Sequence, residues 1–135
     1  MQWVFDASTT LAWCFADEKT PAADALLDRL SVTPAAVPQV WPLEVANVLL
    51  IATRKGRISA ADRSSFVSLL QALPIHVDTV PAGQVLTTTL SLAESHQLTS
   101  YDASYLELAI RLGVPLASLD EPLRRAARSA GVPLL

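Results

Sequence analysis

Four residue types are scarce in this chain, and each scarcity removes a class of chemistry. Cys14 is the only cysteine among 135 residues, so the chain can form neither an internal disulfide nor a thiolate metal cage. Between Trp13 and Phe15 it reads as a small core hydrophobe. The four glycines are scattered, which leaves no glycine-rich phosphate loop. Two histidines, His76 and His96, stand twenty residues apart without ligand spacing and are expected at the surface or capping a helix. Only two lysines occur, Lys19 and Lys55. No stretch approaches the ~18 consecutive apolar residues of a membrane span. Met1-Gln2-Trp3 has neither the basic start nor the cleavage site of a signal peptide, so a cytoplasmic chain is expected.

Apolar residues are plentiful. The chain is 51% hydrophobic and 17% charged, with mean hydropathy +0.36. Such a composition suits one domain, 1–135, with both faces of a sheet covered or part of its surface hidden by a partner. Net charge is -3, which by itself counts against a polyanionic substrate. If four of the thirteen acids belong to a metal site, however, nine remain against ten bases, and a nucleic acid is again admissible.

The apolar run Trp3-Val4-Phe5 breaks at Asp6 into Ala7-Ser8-Thr9, the pattern of a buried strand feeding a helix over Thr9–Ala16. Thr20-Pro21 opens a second helix carrying Leu26, Leu27 and Leu30. Residues 36–40 read as a short extended run with Pro38 at an edge or strand end. Pro42 opens a helix to Arg54-Lys55-Gly56 that is apolar nearly all round and therefore expected to be buried on most sides. Ser59-Ala60-Ala61-Asp62 has the form of a capping box before the helix of Phe66, Leu69, Leu70 and Leu73. A strand over 75–78 follows, then a helix over 82–96 on Val85, Leu86, Leu90 and Ala93, and another from near Asp102 to Gly113. Residues 115–119 form a buried strand ended by Asp120, 121–130 the last helix, and 132–135 an edge strand. This alternation predicts a three-layer α/β/α domain around a mostly parallel sheet of four to five short strands. Trp3, Trp13 and Trp41 are expected in the core, with Trp13 and Phe15 alternatively part of a partner groove.

Asp6 and Asp120 end strands, and Asp102 opens a helix after a connection, so in a parallel sheet all three point to one edge. Each alone is also a good helix cap. Glu44 is harder to explain by capping, because it faces the interior of an apolar helix and needs a partner there. Arg54 and Lys55 lie about three turns along the same helix, out of reach. Four carboxylates at one edge repel, and a divalent cation removes the conflict. An oxygen-only donor set favours Mg²⁺ or Mn²⁺.

Four segments in register, Phe5-Asp6-Ala7-Ser8, Pro42 to Asn47, Tyr101 to Leu106 and Leu116 to Asp120, resemble the PIN-domain ribonucleases, most closely the toxin component of VapBC-type toxin-antitoxin pairs. The resemblance implies a metal-dependent endonuclease cutting RNA through Asp6, Glu44, Asp102 and Asp120, with Asp6, Asp102 and Asp120 as metal ligands. It implies that Ser8 supports the first acid and that Asn47 and Ser104 lie near the site. It further implies an antitoxin partner and a homodimer. Glu121 follows the last acid, which leaves one metal or two open, and either Asp6 or Asp102 can take the proton from the attacking water. Arg54, Lys55, Arg57, Arg124, Arg125 and Arg128 are candidates for holding the RNA backbone, or else belong to solvated helix faces.

Two other functions fit parts of this pattern. A phosphoryl-transfer or phosphatase domain would use an aspartate at a strand end, but needs a lysine near the acids. A non-enzymatic α/β binding module would use the acids only as caps.

Overall fold

The computed structural model describes residues 2–135; Met1 lies outside the described residues. Four parallel strands form the central sheet in the order β3-β2-β1-β4. They are β1 (Trp3–Phe5), β2 (Ala35–Pro38), β3 (Ile75–Asp78) and β4 (Leu116–Ala117). Every residue of β1, β2 and β4 is buried, so both faces of the sheet are covered as expected, while β3 is a half-exposed edge. Eight helices connect and flank the strands: α1 (Ala7–Cys14), α2 (Pro21–Leu30), α3 (Trp41–Arg54), α4 (Ala60–Ala72), α5 (Ala82–Gln84), α6 (Leu90–His96), α7 (Ser100–Leu112) and α8 (Glu121–Ser129). A 3-10 turn (Ala16–Glu18) follows α1, and a π-helical stretch (Val85–Thr89) joins α5 to α6.

Local chemistry explains where these elements start. Asp6 accepts from the Thr9 amide, so α1 begins at Ala7, two residues earlier than its apolar pattern implies. Thr20, Ser59 and Thr99 cap α2, α4 and α7 through their hydroxyls. The expected five-residue strand at 115–119 is only two residues long, because beyond Ala117 the backbone bonds to side chains instead of a neighbouring strand: the Ser118 carbonyl accepts from Arg124, the Leu119 amide donates to Ser8 Oγ and the Asp120 amide to Ser118 Oγ. Residues 132–135 do not add a strand; they contribute one parallel bridge, Leu116 to Leu134. Pro38 lies in an interior strand, which it can occupy because β2 ends there.

Two amphipathic readings are corrected. In α3 only Trp41, Val45, Leu49 and Ala52 are buried, while Leu43 is 73% exposed and Leu50 and Ile51 also face outward. A single buried stripe is enough to anchor α3 on its neighbours, and its remaining apolar residues stay uncovered. Along 82–96 the π turn shifts the helical phase, so Thr89 and Ala93 are buried whereas Leu86 and Leu90 are exposed.

The core centres on β1. The Phe5 ring packs against Trp3, Trp13 and Trp41 at centroid distances of 5.3 Å between Trp3 and Phe5, 5.1 Å between Phe5 and Trp13, and 5.9 Å between Phe5 and Trp41. Each indole N–H is used: Trp3 donates to the Thr33 carbonyl, Trp13 to the Ala23 carbonyl and Trp41 to Thr10 Oγ1. Trp13 and Phe15 are buried in this core, with Phe15 also at the wall of a 460 Å³ cavity shared with Arg57, Ile58 and Phe66; the Arg57 guanidinium lies 3.7 Å over the Phe15 ring. Cys14 is half-buried beside them, and burial pushes its thiol pKa up.

Because Phe5 leads directly into Asp6, the aromatic cluster sets the height of the acid above the sheet. Replacing Phe5 with Ala should lower the unfolding free energy by about 3–5 kcal/mol in urea titrations. A loss below about 1 kcal/mol would show that the cluster does not anchor β1.

Candidate active site

The carboxyl ends of β1 and β4 lie side by side, with the Asp6 amide donating to the Ala117 carbonyl at 3.2 Å. This register brings Asp6 next to the turn that carries Ser118 and Asp120. Asp6 is 3% exposed, yet both its oxygens are satisfied. Oδ1 accepts from Ser8 Oγ at 2.7 Å, from the Thr9 amide at 3.1 Å and from Thr9 Oγ1 at 3.1 Å; Oδ2 accepts from Ser118 Oγ at 2.6 Å. Burial pushes the Asp6 pKa up, and these four donors offset part of that rise.

Two serines act as couplings in both directions. Ser118 Oγ accepts the Asp120 amide at 3.0 Å while donating to Asp6, and Ser8 Oγ accepts the Leu119 amide at 3.0 Å while donating to Asp6. Asp6 and the turn before Asp120 are thus cross-braced. Asp120 Oδ2 accepts the Leu123 amide and caps α8, so at Asp6 and Asp120 capping and site membership are the same geometry.

Asp102 enters from the first turn of α7. Thr99 Oγ1 caps that helix by accepting the Asp102 amide at 3.1 Å, and the Thr99 hydroxyl is the one side chain among the described residues that favours the ionised Asp102 carboxylate. Half-burial, and then the negative charges of Asp120, Asp6 and Glu44, raise its pKa to about 6. Asp102 therefore lies within reach of the charge of all three other acids. Glu44, in the first turn of α3, is half-buried, and its pKa is raised by burial and by the charge of Asp6. Its partner is not a base. Tyr105 Oη donates to Glu44 Oε1 at 2.6 Å.

All four acids named from sequence therefore share one edge. Among the described residues, no three His, Cys, Asp or Glu side chains converge on a ready-made metal cage. The donor set is nonetheless all oxygen, and a hard cation such as Mg²⁺ keeps several waters and uses few direct carboxylate contacts.

The supporting residues divide. Ser8 touches Asp6 as expected. Asn47 is exposed and, with Glu44, Leu43, Val48, Ala7 and Tyr101, lines a cleft of 550 Å³ beside the acids. Ser104 does not turn toward the acids; its hydroxyl donates to the Tyr101 carbonyl within α7. Thr9, Ser118 and Tyr105 had not been singled out. A hydroxyl at N3 of α1, another two residues before Asp120, and a tyrosine one turn after Asp102 were the available signals.

The basic candidates also divide. Arg124 Nη1 donates to the Ser118 carbonyl at 2.9 Å, at the margin of the acids. Arg128 pairs with Glu121, and Arg125 lines a separate cavity with His96. Arg57 is engaged by Asp17 and Glu18 at 2.8 and 2.7 Å. Arg54 and Lys55 are exposed at the far end of α3, about 15 Å along the helix from Glu44. Neither lysine lies at the acid edge, since Lys19 ends the 3-10 turn and Lys55 ends α3. The phosphoryl-acceptor reading therefore lacks its neutralising group.

Similarity to known proteins extends over nearly the whole chain. The family model described as PIN domain matches residues 3–129. The chain belongs to the PIN domain family. Over 127 residues it is 29% identical to Ribonuclease VapC3 of Pyrobaculum aerophilum, covering 91% of this chain and 92% of that one. Its PIN fold superimposes on the crystal structure of PAE2754 from the same organism with TM-score 0.74 and 24% identity, over 99% of this chain and 83% of that one. A toxin-antitoxin complex from Klebsiella pneumoniae also matches, with TM-score 0.61 and 14% identity, over 87% of this chain and 85% of that one. No helix among the described residues is long and apolar enough to cross a membrane.

The raised Asp102 pKa fixes the sign of a pH effect. Between an unfolded-state value near 3.8 and the folded value of about 6, the folded protein holds a proton that the unfolded chain has lost. Stability of metal-free protein should therefore fall as pH rises from about 4.5 to 7, and Asp102→Asn should make that fall shallower. Thermal unfolding in EDTA across this range measures it; a slope unchanged by Asp102→Asn would contradict the assignment.

Proposed function

We propose that this PIN-domain protein is a Mg²⁺- or Mn²⁺-dependent endoribonuclease, the toxin of a toxin-antitoxin pair. The observation that carries the reading is that Asp102 sits in the combined field of Asp6, Glu44 and Asp120, with its pKa lifted to about 6. A fold that assembles four acids with no lysine or histidine between them has built a site that is stable as a set of anions only with a cation present. The relative named as a ribonuclease and the neighbour titled as a toxin-antitoxin complex support the activity and the partner class.

Asp6, Asp102 and Asp120 are the residues that would hold the ion, with Glu44 beside them as a catalytic carboxylate. Bound there, the ion supplies charge stabilisation to the phosphoryl oxygens and acidifies a water. The chain's own residues do the rest. Ser8, Thr9 and Ser118 hold Asp6 in a single orientation. Of Asp6 and Asp102, Asp102 suits the role of proton acceptor, because its carboxylate lacks the four donors that occupy Asp6. Asn47 flanks the cleft as a supporting residue, and Arg124 is the base placed to meet an RNA phosphate. Arg125, Arg128, Arg54 and Lys55 can extend that contact, whereas Arg57 is committed to its ion pairs. The uncovered apolar residues of α3, Leu43, Leu50 and Ile51, offer contact area for the antitoxin and a second copy of the chain.

Purified protein should cleave single-stranded RNA when Mg²⁺ or Mn²⁺ is added and stop when EDTA removes it. Asp6→Asn, Asp102→Asn and Asp120→Asn should each lower the rate roughly 10²-fold or more. Cleavage that survives EDTA, or that all three variants retain, would overturn the reading in favour of a binding module whose acids only cap helices.

A further inference from the structure

Tyr105 is the one side chain that ties the fourth acid to the rest of the edge. It lies three residues after Asp102 on α7, so the two share a helix face. Its side chain is almost fully enclosed, at 1% exposure, while its hydroxyl reaches a half-exposed carboxylate on a different helix. Among the described residues, the bond from Tyr105 Oη to Glu44 Oε1 is the only side-chain hydrogen bond between α7 and α3. Its length of 2.6 Å is that of a charge-assisted O–H···O⁻ contact. No other donor to Glu44 occurs among the described residues, so Oε1 is committed and Oε2 is the oxygen left for chemistry.

We propose that Tyr105 is a positioning residue for Glu44, holding this otherwise free side chain in one rotamer at the acid edge. Resting on the nuclease reading above, the inference adds how the fourth acid is kept in place. A glutamate in the first turn of a half-exposed helix has several rotamers open to it, and ordering it costs entropy that a fixed partner must offset. The buried ring provides such a fixed point, since it cannot follow Glu44 into solvent. Burial and the surrounding carboxylates push the Tyr105 phenol pKa well above its ordinary value, so it remains a donor at every working pH. An arginine in its place would add a positive charge and compete with a cation for the site; a phenol orients the carboxylate and leaves its charge intact.

The test uses a fluorophore-quencher RNA oligonucleotide of mixed sequence, with full-length protein and added Mn²⁺. Tyr105→Phe should lower kcat roughly 10-fold to 100-fold, the loss of one hydrogen bond to a charged group, with KM changed less than about 2-fold. Glu44→Gln should lower kcat at least as far, and the double variant Glu44→Gln/Tyr105→Phe should be no slower than Glu44→Gln alone. A separate readout needs no activity. With only two tyrosines in the chain, a ¹³Cζ-tyrosine spectrum resolves Tyr105 from Tyr101, and Glu44→Gln should shift the Tyr105 signal, whose hydroxyl bonds Glu44, further than that of Tyr101, which only lines the same cleft. Tyr105→Phe cleaving as fast as the parent, losses that multiply in the double variant, or an unmoved Tyr105 signal would each overturn the proposal while leaving the nuclease reading intact. A parent protein that cuts no RNA would instead overturn the nuclease reading, and with it any catalytic consequence of the contact.

Discussion

Repulsion among Asp6, Glu44, Asp102 and Asp120 is the constraint that the rest of the molecule accommodates. A parallel sheet gathers the ends of its strands at one edge, and this chain places an acid directly after β1, another just beyond β4 and a third in the first turn of α7. The rise of the Asp102 pKa to about 6 registers the result. Such a cluster opposes folding, and the observed neighbours of the acids are the groups that limit that cost without cancelling the charge.

Those neighbours are almost all neutral donors. Ser8, Thr9 and Ser118 serve Asp6, the α8 amides receive Asp120, and Tyr105 serves Glu44. Helix N-termini add the favourable end of the backbone dipole at Asp6 and Asp120. A salt bridge at any of these acids would be stronger, but it would leave nothing for a cation to neutralise. Arginines do form ion pairs elsewhere: Arg57 with Asp17 and Glu18, and Arg111 with Glu107 and Asp78. Among the described residues no ion pair engages Asp6, Glu44, Asp102 or Asp120 themselves, although Arg124 and Arg128 pair with Glu121 next to Asp120.

Much of this was legible along the chain, for reasons that are local. Phe5-Asp6 and Leu119-Asp120 announce themselves because the apolar run, the break and the cap are consecutive residues. The parallel sheet follows from strands alternating with helices. The partners of the acids were not legible, because they depend on which elements meet in space. Glu44 called for a partner, with Arg54 and Lys55 out of reach along its own helix; the fold supplies a phenol from sixty-one residues away. The same limit applies to α3, whose all-round apolar pattern suggested burial on most sides. How much of a helix is covered depends on its neighbours, and α3 leaves Leu43 uncovered beside Glu44. The π turn at 85–89 and the two-residue β4 were likewise invisible, since one shifts a helical phase and the other ends where distant side chains, Ser8 and Arg124, take the backbone groups.

The account rests on Asp102, held beside the charges of the other acids, binding a proton more tightly than a free aspartate until a cation displaces it. Calorimetric titration of Mn²⁺ into the metal-free protein at pH 6, repeated in buffers of different ionisation enthalpy, measures this directly. Binding should release a fraction of a proton at pH 6, less at pH 7.5, and less still in Asp102→Asn. Binding without proton release at pH 6, or no Mn²⁺ binding at all, would contradict it.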